Sequence, residues 1–103
     1  METVHAISKI RFATARPQVV HLTRGSQYLV DMLCMEAGQK TKVTSGPWTY
    51  YVVMGTAELS STHGAEALSS GQMATTAPDE VHTIANPGEG RLVCLVIGSP
   101  SGR

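Results

Sequence analysis

Four histidines are the side chains in this chain best suited to chemistry near neutral pH, and His82 has the most informative surroundings. It follows a proline turn and opens a short strand-like run within residues 71–86. Imidazole changes its charge near neutral pH, so a histidine in a pocket can act as a hydrogen-bonding group or a general acid or base. We therefore predict His82 to be a catalytic and ligand-binding residue. The alternative is a core histidine whose ring is satisfied by a neighbouring group.

An acid–base histidine normally needs a partner that orients its ring, and Asp31 is the candidate partner. It is the only acidic residue inside a predicted apolar strand, where a buried carboxylate would itself need a partner. The alternative is that Asp31 faces solvent or an interface. The other histidines are weaker candidates, because His63 lies in a predicted hairpin turn and His21 on an early strand where an edge or interface position is expected.

A second group of side chains could form an apolar and adaptable ligand pocket. Aromatic residues cluster near the start of one predicted strand, and strand alternation sends Tyr50 and Tyr51 to opposite faces. Methionines fill irregular apolar spaces and adapt to varied ligands. Ordinary core packing is the alternative for each of these residues. The predicted ligand-binding residues are His82, Met32, Thr44, Tyr50 and Met73.

Short runs rich in β-branched and aromatic residues, separated by Gly, Pro or Asn, predict an all-β sandwich or barrel. Runs 28–35 and 91–97 are apolar on both faces, which is typical of strands covered on both sides. Such a strand lines a barrel on one face and meets a second layer or partner on the other, or lies at the centre of a sandwich. The predicted strands cover residues 4–10, 18–22, 28–35, 40–44, 49–54, 57–61, 65–69, 72–76, 82–85 and 91–97.

Length and charge limit the classes of function. A chain of 103 residues predicts a single domain over residues 1–103, with its core at about 18–98. Eight basic and eight acidic residues give zero net charge, so nucleic acid is not an expected partner. Charged residues make up only 16% of the chain, and part of the surface is therefore expected to be hidden in a homodimer.

The expected location is the cytoplasm. No signal peptide or membrane-spanning run is visible, and no membrane partner is expected. Cys34 and Cys94 lie in apolar runs and are predicted to be reduced core thiols without a nucleophilic role.

Residues 36–39, 50–57, 71–86 and 91–96, in this order and spacing, make the chain similar to a small single-domain cupin. The resemblance implies a double-stranded β-helix, the jelly-roll barrel of the RmlC-like cupins, and common pairing into dimers. Related proteins include dioxygenases, isomerases, epimerases, decarboxylases and sugar-binding regulatory domains. The fold therefore does not supply the function.

In metal-binding cupins a first motif supplies two histidines and a glutamate, and the second motif supplies a third histidine. His82 matches the second motif, but the corresponding first stretch, residues 38–50, contains no His, Asp, Glu or Cys. Lys42, Thr44 and Ser45 are the expected occupants, and they are poor metal ligands. We therefore predict no tightly bound metal and no cofactor.

The leading functional prediction is a cupin that binds a small, partly apolar molecule, as a sensor or accessory protein. One alternative is a metal-independent isomerase or epimerase that uses His82 as acid or base. Another is a metal-dependent, dioxygenase-like enzyme with ligands from unexpected strands or a second subunit. A last alternative is a purely structural role, in which side chains fill the barrel.

Overall fold

Two antiparallel β-sheets form the computed structural model, which describes residues 1–100. The five-stranded sheet has the order β1-β2-β9-β4-β7, and the four-stranded sheet has the order β3-β8-β5-β6. The predicted all-β fold is thereby confirmed. The strands are β1 Gln18–Arg24, β2 Leu29–Met35, β3 Lys40–Val43, β4 Trp48–Met54, β5 Thr56–Ser61, β6 Gly64–Ser69, β7 Met73–Thr75, β8 His82–Ala85 and β9 Leu92–Gly98.

The segment before β1 differs from the prediction. The strand predicted over residues 4–10 is wrong, because Ala6–Lys9 forms a short 3-10 helix. The hydroxyl of Ser8 donates to the carbonyl of His5 at 2.8 Å, and this local bond offers the backbone an alternative to sheet pairing. Ile7 is exposed, so the apolar character that suggested a strand is not buried here.

Strand β2 is an inner strand of the larger sheet, between β1 and β9, and is buried on both faces, as its sequence predicted. Leu29, Leu33 and Met35 point between the sheets and join the main core. Met32 and Cys34 point to the outer face, where partly buried apolar side chains cover them. The side chains that cover this outer face are Ile10, Phe12, Val20, Leu22 and Leu95. Two of them, Ile10 and Phe12, belong to the N-terminal segment before β1, which therefore forms part of the second layer.

Asn86 ties the loop after β8 to the neighbouring backbone. Its Oδ1 accepts a bond from the Gly88 amide at 3.2 Å. Its Nδ2 also donates to the carbonyls of Met35, at 3.2 Å, and Gly90, at 2.8 Å. Because Asn86 is only 2% exposed, these bonds replace water at both ends of the amide.

The last three residues of the predicted domain lie outside the described part of the chain. Within residues 1–100, no helix combines the length and the apolar character that crossing a bilayer requires.

Candidate functional site

A cavity with a volume of about 540 Å³ lies between the two sheets. Edge strands β1 and β3 both contribute to its wall, so it borders the seam between the sheets. We call it the inter-sheet cavity. Ligand sites in proteins commonly have volumes of about 300–1,000 Å³ with mostly apolar walls and a few polar groups. Its apolar wall consists of Val19, Leu33, Val43, Trp48, Ile84 and Val96, together with the ring of Tyr50.

Trp48 is fixed as part of this wall by its neighbours. It lies opposite Gly98 in the pairing of β4 with β9, and a side chain on Gly98 would collide with the indole ring. Its Nε1–H donates to the hydroxyl of Ser45, also a lining residue, at 3.3 Å. Trp48 is the only tryptophan in the sequence, so its fluorescence reports on this wall alone.

A polar cluster of three side chains, which we call the rim cluster, borders the apolar wall, and its third member, Arg24, contacts the other two from outside the cavity lining. His21 and Asp31 face each other across the β1–β2 ladder, and both line the cavity. Nδ1 of His21 lies 2.9 Å from Oδ1 of Asp31, and the guanidinium of Arg24 lies 3.4 Å from the same oxygen. The Arg24 guanidinium also contacts both ring nitrogens of His21. A bulge after His21 shifts the register, so that Thr23 rather than Leu22 pairs with Val30.

The rim cluster exposes its basic side chains and hides its acid. The Asp31 side chain is 3% exposed, whereas those of His21 and Arg24 are 57% and 39% exposed. A buried carboxylate requires partners that compensate its charge, and these two residues supply them. The cluster therefore presents nitrogen groups, and not a carboxylate, to an approaching molecule.

His82 lies behind Tyr50 and is fully engaged by hydrogen bonds. Its Nδ1 is 2.8 Å from the carbonyl of Glu80, which can only accept, so Nδ1 carries the proton. In the neutral ring Nε2 is then an acceptor, and the hydroxyl of Tyr50 donates to it at 2.7 Å. His82 and Tyr50 are 3% and 2% exposed, so this bond is shielded from water.

On the other side of His82 is a smaller and more polar cavity of about 320 Å³. It borders the seam between edge strands β6 and β7, and its lining includes His63, Glu66, Glu80 and His82. The Glu80 carboxylate accepts a bond from the Ala77 amide at 2.8 Å, and this bond and one from Ser61 lower the pKa of Glu80. Glu80 is thus kept charged beside the turn before β8.

Burial controls the ionisation of the other reactive side chains in the core. Desolvation raises the pKa of the Tyr50 hydroxyl well above its ordinary range, with a smaller contribution from Cys94. Desolvation, with a smaller contribution from Cys34, raises the pKa of Cys94 to about 12, and burial also raises that of Cys34. Both cysteines are buried and free. These groups therefore stay neutral near pH 7, and a neutral buried thiol is a poor nucleophile.

The donor set around His82 does not fit the transition-metal centre that the cupin resemblance implies. The residue beside His82 on β3 is Val43, and Tyr50 occupies the one ring nitrogen that could ligate a metal. Among residues 1–100, no three or more His, Cys, Asp or Glu side chains form a group able to hold a metal ion. A stable site for such metals requires several fixed ligands.

The five predicted ligand-binding residues do not meet at one place. Tyr50 lines the inter-sheet cavity, and His82 lies behind it and lines the smaller cavity. Met32 packs on the outer face of the larger sheet. Thr44 is exposed just after β3, and Met73 on edge strand β7 is 59% exposed. Their roles in binding stay predictions, and a contribution to the inter-sheet cavity is supported only for Tyr50.

Asp31 pairs with His21, and not with His82 as the sequence suggested. Two residues of this arrangement, His21 and Arg24, were not predicted to contribute to a site. A regular hairpin count from the turn near residues 25–28 would place Leu22 opposite Asp31, so the bulge after His21 is what brings His21 there. The expected edge position of His21 is correct, but its ring also faces the cavity.

Solved structures give the class of fold. A protein of Thermus thermophilus aligns with a TM-score of 0.89 and 19% identity, over 97% of this chain and 98% of that one. A conserved protein with a double-stranded β-helix domain from Klebsiella pneumoniae gives 0.85 and 20%, over 100% and 92%. An RmlC-like cupin protein from Desulfovibrio desulfuricans gives 0.78 and 14%, over 95% and 96%. No family model and no curated protein matches the sequence.

The chain therefore has the cupin fold, and the predicted double-stranded β-helix is confirmed. Likeness at this level of identity defines the fold alone, so the function has to be argued from this chain's own side chains.

Proposed function

We propose that the protein binds a small, largely apolar molecule in the inter-sheet cavity. The observation that carries the proposal is an apolar cavity of about 540 Å³ with one polar corner, the rim cluster. At about 30 Å³ per water molecule, this volume corresponds to roughly 18 waters. Releasing water from the apolar wall around Leu33, Ile84 and Val96 favours an apolar ligand by about 25 cal/mol for each Å² that is covered.

The test is a titration with 1-hexanol, followed by the fluorescence of Trp48. The wild-type protein is expected to give a saturable change, because the indole belongs to the wall. Val43→Phe fills the cavity from β3 and should abolish the change. Val53→Phe is the matched control, since Val53 is 39% exposed and lies outside the cavity lining.

Far-UV circular dichroism verifies that each variant is folded, and Thr41→Phe on the same wall replaces Val43→Phe if that variant is not. The absence of any saturable signal in the wild-type protein would refute the proposal. Equal binding by the wild-type protein and a folded cavity-filling variant would refute it as well.

A second candidate function is metal-independent acid–base catalysis in the same cavity. The observation that favours it is the 2.9 Å contact between Asp31 and Nδ1 of His21, because a carboxylate that accepts from Nδ1–H leaves Nε2 as the basic atom. His82 was predicted for this role, but Nε2 of His82 is bonded to the buried Tyr50 hydroxyl, whereas the group that contacts Nε2 of His21 is the exposed Arg24 side chain. Proton abstraction next to a carbonyl group is the reaction that such a base would support.

Deuterium exchange into 2-hexanone in D₂O, followed by NMR, tests this candidate. Exchange above the buffer rate should be lost in His21→Gln and retained in His82→Gln, with folding of both variants verified by circular dichroism. Retention in His21→Gln together with loss in a folded His82→Gln would instead support the role predicted from the sequence. No exchange above background in the wild-type protein would remove the candidate.

The predicted homodimer is retained as part of the proposal. Its support is the exposure of apolar side chains on the neighbouring strands β4 and β7, namely Val53, Met54 and Met73. Sedimentation velocity measures the mass in solution, and a monomer at high micromolar concentration would contradict the dimer.

A further inference from the structure

The rim cluster contains a charged pair beside a cavity whose other walls are mainly apolar. Asp31 lines the cavity with only 3% of its side chain exposed, and Oδ1 is covered by His21 and Arg24. A ligand therefore cannot reach this oxygen without displacing them. The guanidinium of Arg24 and the ring of His21 are, by contrast, substantially exposed.

The orientation of His21 is set by Asp31. Nδ1 faces the carboxylate at 2.9 Å, so Nε2 is the ring nitrogen turned away from Asp31. The Arg24 guanidinium contacts both ring nitrogens and lies 3.2 Å from Nε2. When His21 is protonated, Nε2–H and the guanidinium N–H groups are adjacent donors.

Adjacent cationic donors next to an apolar cavity suit one chemical class of ligand. We infer that the inter-sheet cavity binds a monocarboxylate with an aliphatic or aromatic tail, whose carboxylate is held by Arg24 and His21. Arg24 presents planar donors that match the two oxygens of a carboxylate. Asp31 is a positioning residue, because it holds both donors and does not itself contact the ligand.

The tail of such a ligand has a defined direction. From the rim cluster on β1 and β2, the cavity extends to Trp48 on β4 and Val96 on β9. An apolar tail that runs along this wall would contact the indole, so binding would change its fluorescence. This inference rests on the proposed function, because it assigns a head group to the same ligand.

The test compares three probes with the same chain length, hexanoate, 1-hexanol and hexylamine, at about pH 6, where hexanoate is an anion and hexylamine a cation. Hexanoate is expected to bind the wild-type protein about tenfold more tightly than 1-hexanol, which is about 1.4 kcal/mol. Arg24→Gln should remove this preference and leave the affinity for 1-hexanol unchanged. Arg16→Gln is the matched control, since Arg16 is an exposed arginine outside the rim cluster.

The outcomes separate the inference from the proposed function. Equal affinity for hexanoate and 1-hexanol in the wild-type protein overturns the inference and leaves the proposed function standing. Tightest binding of hexylamine also overturns it, because the amine would then compete with Arg24 for Asp31. A preference for hexanoate that persists in Arg24→Gln overturns the role of Arg24. A wild-type protein that binds none of the three overturns the proposed function, and the inference with it.

Discussion

Replacing Tyr50 by phenylalanine removes one hydroxyl group from the centre of the core and is the sharpest test of the His82 geometry. The phenyl ring keeps the packing of Tyr50, which is 2% exposed, so no large cavity forms. The lost group is the hydroxyl that donates to Nε2 of His82 at 2.7 Å. Nε2 cannot recover by a change of tautomer, because Nδ1–H is needed by the carbonyl of Glu80.

The expected cost is that of a buried acceptor left without a partner, about 1–3 kcal/mol. In a domain of this size each kcal/mol lowers the melting temperature by about 4–8 °C. Tyr50→Phe should therefore melt roughly 8–16 °C below the wild-type protein if the cost is near the middle of that range, about 2 kcal/mol. Urea unfolding, followed by circular dichroism, gives the free energy directly.

Tyr51→Phe is the matched control. Tyr51 follows on the same strand, but it points to the opposite face and is only half-buried. The free energy of unfolding of Tyr51→Phe is expected to stay within about 0.5 kcal/mol of the wild-type value, as for most surface changes. Equal destabilisation by the two changes, or a cost below about 0.5 kcal/mol for Tyr50→Phe, would refute the hydrogen-bond argument.

A double-mutant cycle then assigns the energy to the pair. In a His82→Leu background the acceptor is absent, so the additional change of Tyr50 to phenylalanine should cost almost nothing. A coupling energy above about 1 kcal/mol is expected for groups in direct contact. Additive effects of the two changes would show that Tyr50 and His82 contribute independently.

Three further predictions concern stability. Gly55 and Gly38 both have positive φ, 90° and 80°, but only at Gly55 would a Cβ collide with a neighbouring backbone, so Gly55→Ala should destabilise clearly more than Gly38→Ala in urea unfolding. The folded protein keeps the Cys94 proton from about pH 9 to about 12 while the unfolded chain loses it, so the free energy of unfolding should fall as pH rises through this window, by up to about 1.4 kcal/mol per pH unit. Asn86→Asp turns two donated bonds into contacts between a carboxylate and carbonyl oxygens, and should cost more than about 2 kcal/mol at neutral pH by thermal and urea unfolding.

Each of these has a control and a contradicting result. Similar losses at Gly55 and Gly38 would mean that backbone strain alone matters. Cys94→Ala is expected to be less stable than the wild-type protein at neutral pH, but its free energy of unfolding should fall less between about pH 9 and 10, a range below the titration of an ordinary tyrosine. If the slope of the free energy of unfolding against pH is the same in both proteins, Cys94 is not the group responsible. Asn86→Ala is the control, because it removes the donated bonds without adding a charge. An Asn86→Asp variant more stable than Asn86→Ala would contradict the role of the donated bonds.

The sequence was informative about the fold because its signals are local. Alternation, turn glycines and the segment of residues 71–86 predicted the strands and the cupin barrel, and β2 is buried on both faces as its apolar pattern indicated. The failure at residues 4–10 has the same origin, because an apolar run does not reveal whether a neighbouring strand is available to pair with it.

The site depended on information that the sequence holds only indirectly. The sequence placed a histidine near the core and left Asp31 as its possible partner, since both residue types need a partner when buried. Only the packing of the sheets decided that His82 bonds to Tyr50, and that Asp31 bonds to His21 and Arg24. The physical reason is that hydrogen bonds depend on distances of about 3 Å, which the strand register, the bulge after His21 and the sheet packing fix and residue types alone do not.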